Sequence, residues 1–298
     1  MFDLVRLRIL RTVADQGTLA AAADTLRLTP SAVSQQMAKL EREARCPLVE
    51  RHGRRIRLTE EGIVLAQHAA RILSAVEEAE VDLERRRGEV RGDFTVAAFP
   101  TAARGLLPRV LTALAKEHPD LHVRLREAEP YDAVAGVARG DHDLAMSQDW
   151  TNAPLELSER LHSTEIGIDH INVALPAAHP LADQQRVRAV DLVDEPWIGG
   201  TAGTSCHNWL VSTFSAAERQ PDVVHQAGEF PTQLALVAAG LGVALLPKLA
   251  GDQVPEGVVL RPVEPKMVRR VLAVRRVEST GRPAMRAFLQ ALRDHWRG

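Results

Sequence analysis

Cysteine is almost missing from this chain: Cys46 and Cys206 are the only two in 298 residues. Two thiols cannot make a disulfide framework, and their scarcity fits a reducing compartment. Aromatic residues are nearly as scarce, at 4% with a single tyrosine, so the cores must be built largely of Ala, Leu and Val. No apolar run approaches the ~20 residues that a membrane-spanning helix needs. The opening stretch "MFDLVRLRIL" carries charge throughout and has neither the apolar core nor the cleavage site of a secretory leader, so a cytoplasmic protein without a membrane partner is expected. The eleven histidines show no metal-ligand spacing. The glycines around Gly200 are not followed by the Lys-Ser/Thr of a phosphate loop, and "GLGVAL" lacks the third glycine of a dinucleotide fingerprint. Neither a metal nor a cofactor is expected. Cys206 stands beside His207, which raises a nucleophile–base pair. Neighbours on a helix point about 100° apart, however, and Cys206 shares a face with Leu210 and Phe214, as a buried structural cysteine would.

Charge is present but unevenly placed. The whole chain has a net charge of −2, whereas residues 1–58 hold eleven basic and six acidic side chains and residues 92–298 hold twenty-one and twenty-five. A basic N-terminal module on a mildly acidic body suggests a polyanion as partner of the former; a solvated basic face is the plainer alternative.

Leu4, Leu7, Leu10, Val13 and Ala14 recur at helical spacing, with Asp3 as cap and Gly17 as stop. Thr18 can cap a second helix from Leu19 to about Leu26, whose run of alanines allows close helix approach. Thr29 can cap a third, with Pro30 at its first position, where the missing N–H costs nothing. In the third helix Val33, Met37, Leu40 and Ala44 share one face, and Ser31, Gln35, Ala38, Lys39 and Arg42 the other. Two short helices joined by a three-residue turn form a helix-turn-helix; the outer face offers a hydroxyl, an amide and cations suited to phosphates and base edges. A generic helical hairpin would show the same periodicity. "PLVERHGRRIRLTEEG" then reads as strand Leu48–Arg51, turn 52–54 and strand Arg55–Leu58. Its arginines, Arg51, Arg54, Arg55 and Arg57, suit a wing reaching phosphates or a narrow minor groove, with a solvated hairpin as the alternative. Thr59 caps a long helix with Glu60 and Glu61 in its first turn. Leu65, Ala69, Ile72, Val76, Ala79 and Leu83 form a heptad seam along it, fit for dimerisation or for packing on the chain's own body.

The set "AAADTLRLTPSAVSQQMAKLERE", "PLVERHGRRIRLTEEG" and a long linker helix resembles the LysR-type transcriptional regulators. That resemblance implies a sequence-specific DNA-binding regulator, not an enzyme, which pairs as a homodimer or homotetramer on double-stranded promoter or operator DNA. Family members often carry Gln where this chain has Pro30, and that Gln can contact bases. Here base reading would fall on Ser31, Ser34, Gln35 and Gln36, with Thr29, Lys39 and Arg42 beside them.

From Gly92 short apolar strands alternate with helices, the signature of an α/β fold. "DFTVAAF", "HVRLREA" and "HDLAMSQ" read as strands, with one helix in "PTAARGLLPRVLTALAKEH" and another in "YDAVAGVARG". A second unit spans "HINVALPAAHPLA" to "VALLPKLA", and the chain returns with "VRRVLAVRR" and a closing helix. Two lobes with crossovers near Glu165–Asp169 and Glu264–Val268 resemble the periplasmic-binding-protein fold that the LysR family uses as its effector domain. The expected fold class is thus α/β: a winged helix-turn-helix domain (1–58), a linker/dimerisation helix (59–91) and a two-lobed effector domain (92–298), with lobe I about 92–165 and 266–298 and lobe II about 166–265.

Ligands of such folds sit beyond the carboxyl ends of strands, where helix N-termini point. The loops there supply Phe99, Pro100, Thr101 and Ala102, then Thr201, Gly203 and Thr204, then Glu229 and Phe230; Ser147 and Gln148 end the third strand. By resemblance Thr101 takes the family's frequent Ser/Thr effector contact. Each threonine can equally be a helix cap alone. Exposed helix N-termini in both lobes favour a small organic effector carrying a carboxylate or a similar acceptor. A solute-binding protein would share the two-lobed body but needs an export signal and no basic N-terminal module; an enzyme built on Cys206 is a third reading.

Overall fold

The computed structural model describes residues 1–26, 28–52, 55–150, 154–215, 220–250 and 254–296, with only the backbone of Arg51, His52, Arg55 and Ser215. It divides into two compact units, Met1–Gly88 and Glu89–Gly298.

In the first unit, α1 (Leu4–Gln16) starts where the Asp3 carboxylate accepts from the Val5 and Arg6 N–H groups and stops at Gly17, whose φ of 66° a side chain would resist. The Thr18 hydroxyl accepts from Ala21 N at the start of α2 (Leu19–Leu26). Thr29 caps α3 (Pro30–Ala44) with Pro30 in its first turn. Leu7, Leu10, Val13, Ala22, Ala23, Val33, Met37 and Leu40 form the core that these three helices share. The strands β1 (Val49–His52) and β2 (Arg55–Leu58) pair antiparallel with His52 opposite Arg55. His52, expected in the turn, is thus a strand residue, and the rest of the expected turn, 53–54, lies outside the described residues. Glu41 Oε1 accepts from Leu48 N and Val49 N, and Gly17 O accepts from Ile56 N; these bonds fix the hairpin to α3 and α1. Thr59 caps the 28-residue α4 (Glu60–Arg87).

The second unit holds an eight-stranded mixed sheet. β3 (Gly92–Ala98), β4 (Leu121–Glu127) and β5 (Leu144–Trp150) run parallel. The segment expected as one helix after β3 is two, α5 (Pro100–Gly105) and α6 (Leu107–Glu117). The break falls at Leu106, one residue after Gly105 and two before Pro108, where helical continuity is weakest. α7 is Pro130–Arg139. β6 (Leu161–Pro176) is long enough to serve both lobes. Its first part pairs with β12 (Val268–Arg276) and its last part with β10 (Ala244–Pro247) and β11 (Val258–Glu264). β12 also pairs with β5, so the returning chain is inserted mid-sheet between β5 and β6. α10 (Pro283–Asp294) closes the first lobe: it and α6 cover the sheet face bearing Phe94, Val96 and Met146, while α7 covers the face bearing Ala97, Ala145 and Val274. In the second lobe β7 (Val187–Arg188) pairs with β11, and β8 (Pro196–Gly199) with β9 (Asp222–Gln226). α8 (Ser205–Ser215) and α9 (Phe230–Ala238) follow β8 and β9. β7 and β11 carry no expected counterpart; "VVLRPVE" is broken by a proline, which a sheet tolerates here at one residue of a strand beside the short β7.

Candidate functional site

Two regions collect the polar residues singled out above. On α3, Ser31, Gln35, Lys39 and Arg42 are exposed, whereas Val33, Met37 and Leu40 are buried. Ser34 and Gln36 are half-buried flanks. The Thr29 hydroxyl accepts from Ala32 N at 3.1 Å and is thereby engaged as a cap. Arg42 Nε donates to Ala38 O. On the hairpin Arg57 is exposed and lies opposite Glu50; Arg54 and the side chains of Arg51 and Arg55 lie outside the described residues. Along α4, Leu65 and Ala69 pack into the core of α1–α3. Of the seam's two readings, these two residues take the second, packing on their own module because α4 runs against α1. Ile72 and Leu83 are exposed at 39% and 57%. A groove of about 440 Å³ beside the first turns of α4 is lined by Phe2, Leu48, Val64 and Leu65.

The second region is a buried polar network between the lobes, centred on Arg269. This arginine, absent from the sequence-derived set, is only 1% exposed. Its Nε and Nη2 donate to Asp169 Oδ2 at 2.9 and 2.7 Å. Nη2 also donates to Thr101 Oγ1 at 2.8 Å, and Nη1 to Gln148 Oε1. Gln148 Nε2 then donates to Ser205 Oγ at 2.8 Å and lies 3.7 Å from Cys206 Sγ. Asp169 Oδ1 accepts from Leu249 N. The guanidinium sits 5.1 Å from the Phe99 ring centroid and 5.7 Å from that of Trp150, close enough for cation–π attraction. A buried guanidinium is tolerable only if its donors are met and its charge balanced; Asp169 supplies the charge, and Thr101 and Gln148 the remaining acceptors. Gln148 on β5 of the first lobe thus reaches Ser205 on α8 of the second directly, and Arg269 on β12 ties Thr101 of α5 to that link.

Several expected contacts resolve otherwise. Thr101 is not a cap: its hydroxyl is Arg269's acceptor. Thr204 is one, accepting from His207 N at 3.4 Å while donating to Thr201 O at 2.8 Å. Ala102 is fully buried in the first lobe's core and Phe230 packs in the second's, so neither side chain walls a cleft; Phe99 does so only from its place in the core, against Arg269. Ser147 alternates to the α7 side of β5, away from Gln148; its hydroxyl is buried without a hydrogen-bond partner among the described residues. Glu229 is held by Arg104 at 2.8 Å, a bridge from α5 to the start of α9. Pro100 opens α5, and Thr201 and Gly203 are exposed. Burial, then the carboxylates of Asp132, Glu229 and Glu127, push the Glu129 carboxyl up from its ordinary value. Burial likewise pushes the Cys206 thiol up, outweighing Arg269 and Gln148, so at neutral pH it is a thiol packed near Leu210 and Phe214 and a poor nucleophile. No group of metal-ligating side chains occurs among the described residues, and no described helix is long and apolar enough to cross a membrane.

A basic helix-turn-helix and hairpin, carried on the same chain as a two-lobed α/β unit with a polar interlobe network, define a ligand-responsive DNA-binding regulator. Comparison with known proteins agrees. Residues 4–63 match the bacterial regulatory helix-turn-helix protein of the lysR family, and residues 87–297 the LysR substrate binding domain. A probable RuBisCO transcriptional regulator of Synechocystis is 31% identical over 92% of this chain and 80% of its own. The transcriptional dual regulator GltC of Bacillus subtilis is 30% identical over 91% and 90%. In fold, a full-length OxyR variant of Pseudomonas aeruginosa superposes with a TM-score of 0.70 over 98% of both chains at 22% identity, and full-length BenM with 0.60 over 98% and 96% at 24%. The chain belongs to the LysR family of transcriptional regulators.

Proposed function

We propose that this regulator reads double-stranded operator DNA in the cytoplasm through Ser31, Gln35, Lys39 and Arg42. Ser34 and Gln36 flank that face, and the hairpin arginines supply phosphate or minor-groove attraction. It works as a homodimer or homotetramer joined through the linker helix, 59–91. The exposed apolar side chains of α4 and the groove beside Phe2 support that assembly, because contiguous apolar surface marks an interaction face. The effector is a small organic molecule bearing a carboxylate or a similar acceptor, bound between lobe I (about 92–165 and 266–298) and lobe II (about 166–265).

One observation carries the effector reading: Arg269 gathers Thr101, Gln148 and, through Gln148, Ser205 from both lobes into a single donor–acceptor chain. A ligand acceptor entering there takes over donors of Arg269 that now serve Thr101 and Gln148. It changes the link between lobes without leaving a buried donor unmet. The test is a thermal-shift screen of small carboxylates on the full chain, followed by titration of the hit against operator affinity. Thr101→Val keeps the size and removes the acceptor. It should weaken the effector's influence on DNA binding while effector-free affinity stays intact, and an unchanged titration would dismiss the cleft as the sensing site. In parallel, Gln35→Ala should relax discrimination at one base pair by about 1–3 kcal/mol, read by competition with mismatched operators.

A further inference from the structure

The chain passes between the lobes along β6 and again where β11 gives way to β12, and a cavity of about 560 Å³ lies against both passages. Its β6 side presents His170 and Asn172; its other side presents Lys266 and Met267 from the β11–β12 link, with Arg186 at the rim. Successive side chains of a strand turn to opposite faces. Asp169 faces Arg269, so His170 and Asn172 face away from that network, and the cavity shares no lining residue with it.

The chamber is positively charged. Arg186 holds Glu264 at 3.0 Å, and these two cancel. The Lys266 ammonium has no ion-pair partner among the described residues and remains the uncompensated charge. Asn172 adds the two donors of its carboxamide to the lysine's. Pro265 and Met267 contribute an apolar surface. The volume falls in the usual range for small-molecule sites, roughly 300–1,000 Å³.

We propose that this cavity is a second regulatory site, which binds a small organic anion with an apolar portion. The anionic group lies between Lys266 and Asn172, and the apolar portion lies against Pro265 and Met267. Because the ligand touches both interlobe passages, it binds one lobe separation better than another. It thereby shifts that equilibrium by its differential affinity, and the shift is read at the operator.

The test uses the full-length protein with phenylacetate and phenyl phosphate as probes and phenylacetamide as the neutral isostere, by titration calorimetry. At least one anion should bind, at least tenfold tighter than the amide, and the better of the two tells carboxylate from phosphate ester. Lys266→Ala, and separately Asn172→Ala, should weaken that binding tenfold or more, while Thr101→Val leaves it unchanged. The bound anion should change operator affinity at least threefold in the parent and not in Lys266→Ala. Failure of both anions to bind at millimolar concentration, equal binding of the amide, or full affinity in both hinge-side variants overturns the site. Binding lost in Thr101→Val and kept in Lys266→Ala assigns the anion to the interlobe network and also overturns it. Binding without any change in operator affinity overturns its regulatory role. A cleft that proves insensitive to Thr101→Val leaves this proposal standing, so the two readings fail separately.

Discussion

Arg269 and Asp169 show how a single buried pair decides what its neighbours can do. With Asp169 fully buried and Arg269 nearly so, neither charge has water to fall back on. Arg269→Met should therefore leave an uncompensated carboxylate and cost about 3–5 kcal/mol, measured by urea unfolding. Arg269→Met combined with Asp169→Leu should recover much of that loss, since an apolar pair of similar volume is often as stable as a buried ion pair. It should also abolish any response to the effector. Thr101 and Gln148 were legible in the sequence because one opens the helix after β3 and the other stands near the carboxyl end of β5, where ligands of such folds gather. Arg269 was not. In "VRRVLAVRR" it looks like one of two adjacent arginines, and only the register of β12 decides which is swallowed: Arg269, opposite Trp150 and Asp169, is buried, and Arg270, which bridges Asp149, is half exposed. Its partner Asp169, 100 positions earlier, leaves no local mark either.

Among the elements, α4 is held at its start by close backbone packing on Leu48. A methyl group on Gly62 would come within 2.0 Å of Leu48 O, a backbone atom that cannot swing aside. Gly62→Ala should destabilise the N-terminal unit by about 1–3 kcal/mol, as overpacking does, although alanine gains roughly 0.8–1.0 kcal/mol in helix propensity over glycine. A lower melting temperature with faster hydrogen exchange in α1–α4 would show it; a rise would mean that Leu48 yields. The caps at Asp3, Thr18, Thr29 and Thr59 were readable because capping chemistry is local. The break between α5 and α6 leaves no mark in the apolar spacing, which continues through it while Gly105 and Pro108 act on the backbone alone. The heptad spacing on α4 likewise could not reveal that Leu65 and Ala69 are used internally, since periodicity names a face and not its partner.

At the scale of the whole molecule, the exposed remainder of that seam bears on assembly. Ile72→Asp puts a carboxylate where a partner helix would bury it unpaired, which is strongly unfavourable. Sedimentation should show a smaller species, with operator affinity falling in step; the parent's assembly retained would mean that the seam faces no partner. The two-lobed plan was readable from alternating strands and helices; the chain changes its pairing partners along β6 and again between β11 and β12. What local pattern could not reveal is the position of β12. That strand closes the first lobe's sheet from within, pairing with β5 from Arg269 opposite Trp150 to Arg275 opposite Leu144. During synthesis the ribosome therefore delivers β3, β4, β5 and the first part of β6 long before their central strand exists. The second lobe, whose strands all lie between β6 and β11, is complete sooner. The first lobe waits with two unpaired strand edges, the kind of exposed template that invites mispairing in a nascent chain, and its folding must be the slower, topologically late event.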